Sequence, residues 1–265
     1  MIDIDRMDEQ LASALTSGPR PAPGPVATAP ELLERGLLAE ADAMMAATSH
    51  PRDALTWTTM RALLDGREDA ARTGVEELGR LAEWTDDAEA AERYWVQRFC
   101  VAFEWGTEEE RFDVLDHCRT RAYRFDDLPW WGNLALLLAV MGKADEATRA
   151  IDEAQSLAAQ VPADGGWLDA VTNLIDAAAM LGDAGRIVAL AYSVRWPDGR
   201  LVVVGPGVAC KGSVDRYRAL TLAAAGRATE AAECFRRAES VHRAIGARPL
   251  LTRTLQQASG GLVAA

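Results

Sequence analysis

The chain has 265 residues, 49% of them hydrophobic, and carries 40 acidic against 28 basic side chains for a net charge of −12. That is enough apolar material for one large domain or a repeat array. The acidic balance argues against non-specific nucleic-acid binding, which needs clustered Lys and Arg to displace phosphate counterions, and against anionic membrane surfaces. Cys100, Cys118, Cys210 and Cys234 form no CxxC pair, the opening "MIDIDRMDEQ" lacks an apolar leader core, and runs such as "LALLLAVM" are too short to span a bilayer. The expectation is a cytoplasmic protein with reduced thiols.

Residues 3–16 read as a short amphipathic helix with Ile4, Met7, Leu11 and Leu15 on one face. "GPRPAPGPVATAP" follows; its prolines fix φ and remove donors, so it reads as an extended linker. The expected division is therefore 1–30, helix plus linker, and 31–265, the folded body. Within that body Ala and Leu dominate and β-branched runs are scarce, which predicts helix nearly throughout. One small pattern recurs: a glycine, a few variable residues, then Glu or Ala beside a small residue. It appears as "GLLAEA" at Gly36, "GREDAA" at Gly66, "GKADEA" at Gly142 and "GRATEA" at Gly226, with weaker copies at Gly106 and Gly182. A glycine that accepts αL ends one helix, and acidic residues then suit the start of the next. Such a hairpin cannot bury its apolar face alone, so neighbours stack.

The clearest copy, "WWGNLALLLAVMGKADEATRAIDEAQSL", resembles the tetratricopeptide repeat, with Trp131, Asn133, Leu134, Ala135, Leu138, Gly142, Glu146, Ala147 and Ala154 at the motif's positions. Residues 200–255 resemble the C-terminal repeat tails of actinobacterial LuxR-type regulators and related ATPase regulators, through "VVVG", "ACKGSVDRY", "LAAAGRATEA" and "IGARPLLTRT". The resemblance implies an all-α, right-handed solenoid of about five to six hairpins, with one extended or β-hairpin insertion near 200–212. No Walker A sequence or helix-turn-helix accompanies it, so ATP hydrolysis and DNA binding are not carried over.

The stretch "RLVVVGPGVACKGS" (200–213) approaches two phosphate-binding fingerprints and fits neither. Cys210 stands where each needs a glycine, Gly212 where the P-loop needs a hydroxyl, and Pro206 removes a backbone donor. It reads as a hairpin or loop between repeats; Lys211 is an anchor for an acidic ligand group if it points inward and a solvated lysine if outward. His50, His117 and His242 lie far apart, which predicts surface histidines and no metal site. The pairs Asp86–Asp87 and Asp126–Asp127 precede predicted helices and read as N-caps. Of the eight tryptophans, Trp95 and Trp131 sit at the repeat's packing position.

Aligned on their glycines, the repeats place Trp57, Gln97, Asn133, Asn173 and Tyr217 in one column on the inner helices, nine residues ahead of each glycine, with Arg93 and Arg216 close by. Amides, aromatics and arginines on a concave face suit an extended peptide, or a polar small ligand with an apolar body. The alternative is that the amides only join helix to helix. The leading expectation is a non-catalytic protein that binds a protein or peptide partner in this groove, with no cofactor. A small-molecule sensor or carrier, or an enzyme of secondary metabolism using the cavity, is the alternative.

Overall fold

The computed structural model describes residues 27–158 and 165–260. Among them are thirteen α-helices and one β-hairpin. The helices are α1 (Ala29–Glu34), α2 (Leu38–Ala46), α3 (Pro51–Asp65), α4 (Glu68–Thr85), α5 (Ala88–Trp105), α6 (Glu108–Phe125), α7 (Leu128–Val140), α8 (Ala144–Ala158), α9 (Gly165–Met180) and α10 (Ala184–Tyr192). The hairpin, β1 (Leu201–Val204) with β2 (Ala209–Ser213), comes next, followed by α11 (Val214–Ala224), α12 (Ala228–Ala244) and α13 (Arg248–Ala258). The expected insertion near 200–212 is this antiparallel hairpin. The predicted helix over 3–16 lies outside the described residues. The first described helix begins at Ala29, two residues before the expected boundary, because Pro30 is tolerated in a helix's first turn, where its missing N–H has no partner to lose.

The helices are of two kinds. The outer ones bury a single stripe at one spacing: Ala71, Gly74, Val75, Leu78 and Ala82 on α4; Ala147, Ala150, Ile151 and Ala154 on α8; Ala231, Cys234, Phe235, Ala238 and His242 on α12. This is the i, i+3, i+4, i+7 pattern of a helix covered on one side, and each stripe opens on the small residue of the recurring pattern. Two of the inner ones are buried all round along most of their length. Every residue from Trp130 to Leu138 on α7 and from Val214 to Leu222 on α11 is buried, which requires neighbours on both faces.

Glycines at 36, 66, 142, 182 and 226 all adopt αL, with φ between 68° and 77°, at the turns where the repeat pattern puts them. Gly106 does not. It is extended (φ −65°, ψ 144°), and a Cβ there would meet the Ala102 carbonyl at 2.5 Å, so this turn needs glycine for space rather than for handedness.

Each helix packs on the next along the chain from α2 to α13, and the inner helices α3, α5, α7, α9 and α11 also touch in succession. Finally α13 packs back on α3, where Pro249 lies against Gly66. A second core cluster records the same return: Leu33, Trp57, Met60 and Leu64 join Leu201, Ile245 and Leu250. The β-hairpin lies inside this circuit and touches α1, α3, α5, α9, α11 and α12.

Candidate functional site

The interior is organised by the predicted column. Asn173 on α9 donates through Nδ2 to the Asn133 side-chain oxygen on α7 at 2.6 Å. Gln97 on α5 donates to the carbonyl of Thr56 on α3 (2.8 Å) and to that of Val208 in the hairpin turn (2.9 Å). Arg216 on α11, 0% exposed, grips both carboxylate oxygens of Asp176 on α9 at 2.7 and 2.6 Å and also reaches Gln257 on α13. Tyr217 donates to the Lys211 carbonyl at 3.1 Å and stacks parallel to Trp196. Trp57 donates its indole N–H to Asp42. Arg93, at the edge of the column, pairs with Asp53 and Glu89. All seven predicted residues are buried and each bonds across to another element or to an adjacent turn of its own helix.

The hairpin occupies the space these helices enclose. Gly207 sits against the Trp57 ring at φ +86°, where a Cβ would meet Trp57 Cζ3 at 2.9 Å. Gly212 sits more tightly still against His242 at φ +88°. A glycine-rich strand turn is what close approach of backbone to large side chains demands. The register shift between Val202 and Val203 is a bulge that leaves Lys211 outside the residue pairing.

Beside β2 a cavity remains, with about 70 Å³ open to water centres, enough for several waters or a compact organic molecule. Its apolar wall includes Met60, Leu64, Phe99, Phe103 and Leu136; its polar atoms come from Glu104, Asn173, Asp176, Lys211, Tyr217 and Arg253. Lys211 points inward. Its side chain is 13% exposed, forms an ion pair with the Asp169 carboxylate, and donates to the Asp169 carbonyl at 3.2 Å. Arg253 on α13 donates to Glu104 on α5 at 2.5 Å and lies over the Phe103 ring at 4.7 Å. Cys100 and Cys210 also line the cavity; burial pushes their thiols up to about 12 and about 11, so neither is a thiolate nucleophile at neutral pH.

Of the predicted column, Asn173 and Tyr217 line the cavity, whereas Trp57, Arg93, Gln97, Asn133 and Arg216 do not. The cavity residues that the column missed divide in two. Asp176 lies three residues after Asn173 and Glu104 seven after Gln97, so helical spacing from the column points to both. Arg253 arrives only by the return of α13, and no local pattern signals it.

Other expectations need correction. His242 is fully buried: Nε2 accepts the Ser213 N–H at 2.8 Å, Nδ1 meets Thr254 Oγ1 at 3.0 Å, and that hydroxyl donates to the Leu250 carbonyl. Burial pushes its pKa down to about 3. His117 is half-buried, stacked on Trp95 at 3.9 Å and held down to about 4 by burial. Only His50 of the three is an exposed surface histidine, because the buried two supply polar atoms or flat rings to inter-helix contacts. The acid pairs split their work. Asp86 and Asp126 are αL C-caps with φ 51°. Asp87 is an N-cap that accepts from the Glu89 and Ala90 N–H groups, and Asp127 turns its carboxylate to Arg121 instead. The tryptophans divide as well: Trp131 is buried, Trp95 half-buried, and Trp84 is 86% exposed. Among the described residues no group of His, Cys, Asp or Glu is arranged to hold a metal, and no helix is long and apolar enough to cross a membrane.

The chain matches no family model, no curated protein and no solved structure.

Proposed function

We propose that this chain is a right-handed, tetratricopeptide-like solenoid wound back on itself, and that it acts without catalysis as a sensor or carrier of a small molecule held in its interior cavity. The observation that carries this reading is the β-hairpin on the inner face. An extended peptide needs a long open groove with free backbone-reading groups. Here the chain's own backbone takes the Gln97 amide, the two asparagines bond each other, and what remains is a compact, largely apolar cavity with a few convergent polar groups. The resemblance of residues 200–255 to regulator tails, which implies a sensing role, points the same way.

The test is a thermal-shift screen of metabolites on the full chain, followed by calorimetry. A true ligand at ~100-fold its Kd stabilises by about 2.7 kcal/mol, which raises Tm by roughly 5–10 °C for a chain of this size. Cys100→Met, which fills the cavity with a side chain that adapts to irregular space, removes that shift while the free variant still unfolds cooperatively. A ligand whose effect persists in Cys100→Met, or turnover of a metabolite, overturns the reading.

A protein partner is a second reading, favoured by the exposed aromatic side chains Trp84, Tyr123 and Phe125 at the C-terminal ends of α4 and α6. It places that partner on the outer surface rather than in the groove.

A further inference from the structure

We infer that the cavity's ligand is a small zwitterion with an apolar side chain, of the α-amino-acid type, its carboxylate on Arg253 and Lys211 and its ammonium on Glu104. This rests on the small-molecule reading above and names the ligand's class.

Four charged side chains reach the cavity, and their signs balance: Glu104 and Asp176 against Lys211 and Arg253. Each is already matched, Glu104 with Arg253, Lys211 with Asp169 and Asp176 with Arg216. A ligand with a single net charge would therefore bring an uncompensated charge into a largely apolar cavity, which is costly. A neutral apolar ligand would displace water from the donors and acceptors that these pairs leave free and give them nothing in exchange, which is costly. A zwitterion adds no net charge and meets both signs.

The pairs also keep bonding capacity in reserve. A guanidinium has five N–H donors, and the bond to Glu104 occupies one of them. The Lys211 ammonium has three donors, and its contacts with the Asp169 carboxylate and carbonyl occupy two. Glu104 is held through one carboxylate oxygen, which leaves the other to accept. Asp176 is different: Arg216 grips both its oxygens, so it sets charge and shape rather than serving as an anchor.

The groups converge on one place. Lys211, Glu104 and Arg253 line the same cavity as Cys100. Phe99, Phe103 and Leu136 then supply the apolar side of the same space. These apolar groups suit an aliphatic side chain of the Val, Leu or Met type.

Three probes with the same isobutyl side chain decide the matter on the unaltered full chain: L-leucine, 4-methylpentanoate, which lacks the ammonium, and 3-methylbutylamine, which lacks the carboxylate. Calorimetry is expected to give saturable leucine binding, or valine or methionine binding where the side chain fits better. Each singly charged analogue of leucine is expected to bind at least about tenfold more weakly, the loss of one charge-assisted hydrogen bond. Arg253→Gln and Glu104→Gln should each weaken amino-acid binding to a similar extent, with unfolding curves confirming that both variants fold; Arg253→Lys should retain part of it.

An analogue that binds as tightly as leucine overturns the inference, as does absence of binding by every amino acid tried. If a neutral or singly charged metabolite from the screen binds and Cys100→Met abolishes it, the zwitterion fails and the cavity stands. If nothing binds, both fail together.

Discussion

His242 shows how one side chain couples the hairpin to the last helices. Because Nε2 accepts the Ser213 N–H, the proton sits on Nδ1 and is given to Thr254 Oγ1. Protonating Nε2 would break the bond to β2 and place a charge on a ring that is fully buried. The folded pKa is pushed down to about 3, against about 6.5 for a free histidine. Between those values the unfolded chain binds a proton that the folded chain refuses, so stability falls as pH drops below about 6.5, by up to about 1.4 kcal/mol per pH unit from this group. Denaturant melts at pH 7 and pH 5 should show that loss, and His242→Gln, whose amide oxygen can accept the same N–H, should reduce it. An undiminished pH slope in the variant would assign the effect to other groups. Arg216 is a second single-residue case. Arg216→Met leaves the Asp176 carboxylate buried and unpaired, and should cost about 3–5 kcal/mol in chemical denaturation. If the double variant Arg216→Met/Asp176→Leu recovers most of that, the cost lies in the orphaned charge rather than in the lost pair.

At the scale of elements, the hairpin is the piece most exposed to small changes in sequence. Gly207 faces the Trp57 ring from a left-handed backbone conformation. Gly207→Ala adds αL strain to overpacking, and about 2–4 kcal/mol should be lost in denaturant melts. The same substitution at Gly142, also αL but with open space where its Cβ would go, should cost only the strain, about 1–2 kcal/mol. Equal losses at the two positions would mean that the ring contact does not matter. The contrast also shows why some elements are legible in the sequence and others are not. Gly142 closes a local turn, flanked by a buried first helix and an amphipathic second one, and these local signals found both helices, as they found β1 from Val202–Val204. The use of Gly207 depends on Trp57, 150 positions earlier, and only the fold brings the two together. Asp86 and Asp126 misled for a related reason: an Asp-Asp pair at a helix junction can cap either helix, and the αL turn gives the first aspartate to the helix that ends.

For the whole molecule, the consequential feature is the return of α13 to α3, which no repeat pattern announces. It brings Pro249, Leu250 and Arg253 to the cavity wall, and Arg253 with Glu104 joins residues 149 positions apart. The column Trp57, Gln97, Asn133, Asn173 and Tyr217 was legible because it depends on a constant spacing ahead of each turn glycine; the cavity was not, because it depends on α13 packing on α3. The two cavity thiols report on that closure. In the intact fold Cys100 and Cys210 are half-buried at the cavity wall and held as thiols, at about 12 and about 11, so a thiolate-selective reagent should label them more slowly than in urea. Disturbing the return contact at Pro249, for instance with Pro249→Asp against Gly66, should accelerate labelling of these two cysteines. It should leave Cys118, buried between α6 and its neighbours, protected. Mass spectrometry of the labelled chain separates the sites. Joint acceleration at Cys100 and Cys210 means that the circuit opens locally at its seam, whereas acceleration at Cys118 as well means global unfolding, and unchanged rates mean that α13 does not close the cavity.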